Sequence, residues 1–259
     1  MKTSVKPRAL IFSGYGLNSE DETKYAFELA NVDADIVHVN DLIENPKKLD
    51  RYQIAVFPGG FSYGDDTGAG KAYGRKVSHH LKGALDRFLS RDTLMAGICN
   101  GFQILTNTGI LPGALISNVQ NRFICRYVDL EVKGKSPWLT GIQKISMVVS
   151  HGEGRYFDTD ANLDALQKKG AVALTYAKGE TATYQSLTAN PNGSLRDIAG
   201  VTGYEGRVLG LMPHPERALS FLQLPHAPFL AEHLKREGMP IPKEGPGLAV
   251  FKNAAKYFS

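Results

Sequence analysis

The segment Gly97-Ile98-Cys99-Asn100-Gly101 sets a thiol between two glycines, after the apolar run Leu94-Met95-Ala96 and before the helix-like Phe102-Gln103-Ile104-Leu105. A nucleophile bracketed as G-x-Nu-x-G between a strand and a helix is the pattern of a strand-to-helix elbow. The glycines permit a sharp turn and a close backbone approach that a side chain would block. The turn predicts a sulfur projecting at the C-terminal edge of a sheet, beside the first unpaired N–H groups of a helix, where a thiolate is stabilised. The second cysteine, Cys125, sits in the apolar run Phe123-Ile124-Cys125 without such a bracket and reads as a structural residue.

A cysteine nucleophile needs a base, and the base needs an orienting group. Of seven histidines, His214 stands in Met212-Pro213-His214-Pro215-Glu216, where flanking prolines favour extended backbone. In an extended segment residues i and i+2 share a face, so Glu216 can meet the His214 ring and fix its tautomer. Cys99, His214 and Glu216 are therefore the expected catalytic triad. Attack on a carbonyl also needs donors for the developing oxyanion. Pro58-Gly59-Gly60 follows the strand-like Ile54–Phe57, and the N–H groups of Gly60 and Asn100 are the expected pair. His79 and His80 read as a solvated face, and His38, His226 and His233 have no supporting context. Two glycine patterns do not qualify as nucleotide loops. Gly14-Tyr15-Gly16 lacks its third glycine, with Ser19 in that place, and "GDDTGAGK" over 64–71 has the wrong spacing and Ala72 where a Ser or Thr is required.

The elements that position these groups follow from the alternation of short apolar runs and helix-permissive stretches. Arg8–Ser13, Ala34–Asn40, Ile54–Phe57 and Leu94–Cys99 read as strands, separated by Glu20–Ala30 and Lys76–Leu89, the rhythm of a parallel sheet wound by crossover helices. Phe123–Val132, Lys144–Val149, Val172–Ala177, Ile198–Tyr204 and Val208–Met212 add strands, some of them antiparallel, with a turn at Asn190-Pro191-Asn192-Gly193-Ser194. A Pro- and Gly-rich segment over 222–247, with a short helix at Ala231–Glu237, precedes a last helix at Leu248–Phe258. No boundary or repeat divides the chain, so 1–259 reads as one α/β domain with 222–247 as an insertion.

The chain has 259 residues, 42% of them hydrophobic, and a formal net charge of +4. Its Lys and Arg are scattered, which argues against nucleic acid as a partner. No apolar run approaches the ~20 residues of a membrane span or the length of a signal h-region. The expectation is a cytoplasmic protein without a membrane partner. Two cysteines provide neither a disulfide framework nor a C-x-x-C metal site.

"FPGGFSYGD" (57–65), "GICNGFQIL" (97–105), "HGEG" (151–154), "NPNGSLRDIAG" (190–200) and "GLMPHPER" (210–217) together resemble the class I, triad-type glutamine amidotransferases. Within that class they are most similar to the glutaminase subunits of phosphoribosylformylglycinamidine (FGAM) synthase. The resemblance runs from about Arg8 to Ser220; Gly14–Asn18 match only loosely, and 222–247 has no clear counterpart. It implies a flavodoxin-like fold, a mostly parallel central sheet flanked by helices with additional antiparallel strands. It further implies hydrolysis of L-glutamine through a Cys99 thioester, with Gln103, Ser150, His151 and Gly152 contacting the substrate and no metal in the site. The ammonia would pass to a synthetase subunit that carries ATP and Mg and converts FGAR to FGAM in de novo purine biosynthesis, in some assemblies with a small bridging subunit; this chain itself would need no cofactor. A glutaminase serving another synthetase, or a redox-sensing or chaperone-like relative, would share the elbow cysteine; the latter has no use for His214 and Glu216.

Overall fold

The computed structural model describes residues 6–259; Lys2, in the basic N-terminal stretch, lies outside them. The strands are β1 Arg8–Ser13, β2 Asp33–His38, β3 Ile54–Phe57, β4 Leu94–Ile98, β5 Ala114–Ile116, β6 Ile124–Val132, β7 Lys144–His151, β8 Arg155–Phe157, β9 Val172–Ala177, β10 Ile198–Gly203 and β11 Val208–Leu211. The α-helices are α1 Glu20–Leu29, α2 Val39–Glu44, α3 Lys71–His80, α4 Lys82–Ser90, α5 Asn100–Asn107, α6 Asp160–Lys168, α7 Glu180–Tyr184, α8 Ala227–Arg236 and α9 Leu248–Tyr257.

One sheet runs β2-β1-β3-β4-β11-β10-β9-β6-β7, and β5 pairs with β8 in a separate ribbon. The first five strands are parallel and keep the 2-1-3-4-5 order of flavodoxin-like sheets, with β11 in the fifth place. Each remaining neighbour is antiparallel. β3, β4 and β11 are buried throughout, as covered parallel strands must be. Two helical groups flank the sheet. α1 packs on α9, where Phe27 meets Phe251 edge-on at 5.0 Å between centroids, and α3 packs on α5. Between β1 and β3, Phe12 stacks on Phe57 at 3.8 Å.

Several boundaries differ from the sequence expectations for local physical reasons. The helical stretch expected at 76–89 is two helices, α3 and α4, interrupted at Leu81 (φ −115°, ψ 0°). The strand expected to reach Asn40 ends at His38, whose Nδ1 accepts from the Asn40 N–H and so starts α2. β10 stops at Gly203 because Tyr204, Glu205 and Gly206 are all left-handed. The helix expected at 231–237 is α8, shifted towards the N-terminus. The segment 222–247 leaves and rejoins the domain at one place: Ser220 and Glu244 form a bridge, and Gly245 N–H donates to Leu219 O at 2.7 Å.

Candidate active site

Three adjacent parallel strands end at one edge of the sheet, and the register aligns their last residues: Phe57 beside Gly97, and Gly97 beside Gly210. The segments that follow β3, β4 and β11 therefore converge, carrying Gly60, Cys99 and His214 respectively. Cys99 joins β4 to α5 with φ 51° and ψ −106°, so the strain of the elbow resides in the cysteine itself. The bracketing glycines serve close packing instead of the turn. A Cβ on Gly101 would stand 1.8 Å from the Phe57 carbonyl oxygen, and one on Gly97 would stand 2.6 Å from Gly101 O. The Cys99 N–H is held by Leu211 O at 2.8 Å, and its sulfur lies 3.6 Å from Ser150 O.

His214 is extended (φ −102°, ψ 95°), as the prolines predict, but Pro215–Arg217 form a 3-10 turn in place of the extended continuation. That turn brings the Glu216 Oε1 to 2.5 Å from His214 Nδ1. Both residues are buried, at 2% exposure each, and the His214 Nε2 has no hydrogen-bond partner among the described residues. Burial works against a charged imidazole, yet the Glu216 carboxylate and the Cys99 sulfur outweigh it and hold the His214 pKa up at about 10. The pair is thus set to carry a proton opposite the sulfur.

The two glycines after β3 have separate tasks. A Cβ on Gly59 would come 2.7 Å from the His214 Cε1, so the bare backbone is the surface on which the imidazole rests. Gly60 is wedged against Gly16 O and the Leu17 Cα, each 2.6 Å from where its Cβ would be. Gly59 O and the Phe61 N–H tie this loop to residues 16–19. No acceptor among the described residues takes the N–H of Gly60 or of Asn100, which leaves both donors free. The Asn100 side chain braces the same loop, accepting from Ser62 N–H at 3.1 Å and donating to Asp65 Oδ1 at 3.3 Å. Asp65 is pushed up to about 6, by burial first and by the neighbouring Glu153 carboxylate second.

The opposite wall comes from β7. Although β7 ends the sheet order, the antiparallel half curls until Val148 pairs with His214, whose N–H donates to Val148 O at 2.7 Å. Ser150, His151 and Gly152 follow directly. Gln103, one turn into α5, has its amide engaged on both sides, accepting from Asn100 Nδ2 at 2.7 Å and donating to Glu153 O at 2.5 Å. Cys125 is exposed on β6, opposite Ser150, and is not the core residue its apolar neighbours imply.

Comparison with known proteins decides the family. The CobB/CobQ-like glutamine amidotransferase domain matches residues 6–258. The phosphoribosylformylglycinamidine synthase subunit PurQ of Methanococcus maripaludis is 41% identical, over 98% of each chain. The chain belongs to the PurQ family. The PurQ of Dehalococcoides mccartyi is 40% identical over 97% of this chain and 98% of its own. In the structure of PurLQS from Thermotoga maritima, a chain 33% identical superposes with a TM-score of 0.74, covering 98% of this chain and all of that one. As a PurQ-family chain it is a glutamine amidotransferase. Among the described residues no helix is long and apolar enough to cross a membrane, and no group of three or more His, Cys, Asp or Glu is arranged to hold a metal ion.

Two contributors stood in the quoted motifs without a role. Gly59 entered only as part of a Gly-Gly pair, and its contact with His214 depends on the β3–β11 geometry. Asp65 closes the first motif, and its contact with the Asn100 side chain spans 35 residues.

Proposed function

We propose that Cys99, His214 and Glu216 form the catalytic triad of a glutaminase that hydrolyses L-glutamine and passes the ammonia to the synthetase subunit of FGAM synthase. The observation that carries this reading is the convergence of a strained elbow cysteine with a buried His214–Glu216 pair at the ends of neighbouring strands. The Cys99 sulfur attacks the side-chain amide carbon, and the amide oxygen takes up charge towards the N–H groups of Gly60 and Asn100. His214 Nε2–H protonates the amide nitrogen, the C–N bond breaks, and ammonia leaves a glutamyl thioester. His214, now neutral, takes a proton from water, whose oxygen attacks the thioester carbon; the C–S bond breaks, glutamate leaves after its new carboxyl group gives up its proton to solvent, and the Cys99 thiolate again faces protonated His214. Glu216 holds the Nδ1–H throughout. Ser150, His151, Gly152 and Gln103 form the wall and floor against which the amino acid portion lies.

This chemistry uses side chains and backbone donors of this chain, while ATP and Mg belong to the synthetase, which turns FGAR into FGAM in the cytoplasm. A small bridging subunit completes the assembly. The test is covalent trapping. An electrophilic glutamine analogue should add one label to the intact protein, located at Cys99 and absent from Cys99→Ala, with the exposed Cys125 unlabelled. Labelling that persists in Cys99→Ala contradicts the proposal.

A further inference from the structure

The loop between β3 and α3 meets the start of α5, and one side chain of α5 holds it. Asn100 is fully buried, and each polar atom of its amide is used. Oδ1 accepts from the Ser62 N–H at 3.1 Å, while Nδ2 donates to Gln103 Oε1 at 2.7 Å and to Asp65 Oδ1 at 3.3 Å. The Ser62 N–H fixes which end of the amide is which, so only acceptors satisfy the other end. Further along the loop, the Ala69 N–H donates to Glu153 Oε2 at 3.1 Å, and Gln103 Nε2 donates to Glu153 O at 2.5 Å. The segment after β7 thus closes the same network from the far side.

Asp65 is the charged member of this network that touches Asn100. Tyr63, Gly64 and Asp65 are left-handed in succession, with φ of 54°, 67° and 56°. Residues with a Cβ hold that conformation only where contacts impose it. Asp65 is half-buried, and the charged groups beside it are both acidic: Glu153 from the segment after β7 and Asp66 from the loop itself. α5 presents only the neutral amides of Asn100 and Gln103. Burial first and Glu153 second push the Asp65 pKa up to about 6, against the Gly70 N–H and the Asn100 amide, which favour the carboxylate. A neutral amide would fill this place without the repulsion. What the carboxylate adds is a stronger bond to the Asn100 Nδ2–H, since a charged acceptor holds a donor about twice as firmly as a neutral one.

Two N–H donors must keep one spacing to receive an oxyanion, yet Gly60 stands on the loop after β3 and Asn100 on α5. The Asn100 side chain is tied to that loop at Ser62, two residues from Gly60, and again at Asp65. We propose that Asp65, as a carboxylate, is a positioning residue for glutamine hydrolysis: it holds the Asn100 amide and so fixes the Asn100 N–H relative to that of Gly60. The proposal rests on the glutaminase reading above. Asp65 acts through Asn100, so its effect falls on the step in which charge develops on the amide oxygen and not on glutamine binding.

The test compares wild type with Asp65→Asn, which keeps the shape and an acceptor oxygen and removes the charge. Glutamate release from L-glutamine is followed between about pH 5 and about pH 8 by the full-length chain in complex with its synthetase, FGAR and ATP. The synthetase is common to both, so its own pH dependence cancels in the ratio of the two kcat values. That ratio should be about 10 at the alkaline end and fall towards 1 at the acid end, with KM changed less than about twofold throughout. Its midpoint should lie near pH 6, where the wild-type carboxyl takes up its own proton. Adding Glu153→Gln to both chains removes a repelling charge while keeping an acceptor for the Ala69 N–H, and should move the midpoint to lower pH. The rate of Cys99 alkylation by iodoacetamide should stay within about twofold of wild type, as expected of an intact thiol site. A ratio near 1 at the alkaline end, a ratio that does not change with pH, a loss confined to KM, or an equal fall in alkylation overturns the proposal. Glutamate release that survives Cys99→Ala would instead sink the underlying reading, and it is scored in a separate variant.

Discussion

His214 keeps its proton because a carboxylate and a sulfur flank it in a site with little water. Its pKa of about 10 in the folded chain, against 6.5 for an ordinary histidine, contributes stability that is fully present below pH 6.5 and is lost as the pH rises towards 10. The expected outcome is a fall in stability over that window in denaturant melts, with a shallower slope in Glu216→Gln, where the partner charge is gone. The same substitution should lower the rate of glutamate release roughly 10²- to 10⁴-fold, since the ring loses both its orientation and its counter-charge. Gly59→Ala probes position without changing any charge. Its new Cβ would press on the imidazole at 2.7 Å, and a shift of that size should cost about 10²-fold in kcat while the melting temperature moves little. At this scale the convergence of Cys99, His214 and Glu216 was legible, because prolines and glycines constrain backbone and Cys, His and Glu carry recognisable chemistry. Gly59 was not, since it stood only as half of a Gly-Gly pair and meets the His214 ring through the sheet.

The elements place these residues through register. Because β4 lies between β3 and β11 with Gly97 level with Phe57 and Gly210, one strand edge gathers the Gly59-Gly60 loop, Cys99 and His214. The seating of α5 on β3 depends on Gly101. Gly101→Ala forces the helix off the Phe57 carbonyl and should destabilise the fold by about 3 kcal/mol in chemical denaturation, with activity lost in parallel. The apolar runs marked β1, β3, β9 and β11 nearly to the residue, because a buried strand leaves a dense hydrophobic signal, whereas β7 showed through an alternation of buried and half-exposed residues and β6 through its central buried run. The short pair β5 and β8 gave none, as three residues cannot display a period. α6 and α7 also went unread: their first turns are polar and their buried positions few, Leu163 and Leu166 in one and Thr181 and Ala182 in the other.

At the scale of the molecule, the decisive feature is the curl that returns β7 to His214. Sheet order alone separates β7 from β11 by three strands, and no local pattern encodes a contact made by the accumulated twist of four antiparallel strands. The segment 222–247 is a separate matter, since its ends meet at Ser220 and Glu244 and it exposes Leu222 and Phe229. Replacing residues 224–242 by a short Gly-Ser linker should leave glutamate release by the chain within about twofold, with a lower melting temperature from the loss of the buried Ala227 contacts. The central claim is that Cys99 releases ammonia from glutamine for a synthetase. The most direct measurement is glutamate release by the full-length chain, alone and with its synthetase, FGAR and ATP, for wild type and Cys99→Ala. The expected result is turnover that rises when the synthetase complex assembles and vanishes in Cys99→Ala; turnover unaffected by Cys99→Ala, or absent under every condition, would contradict the account.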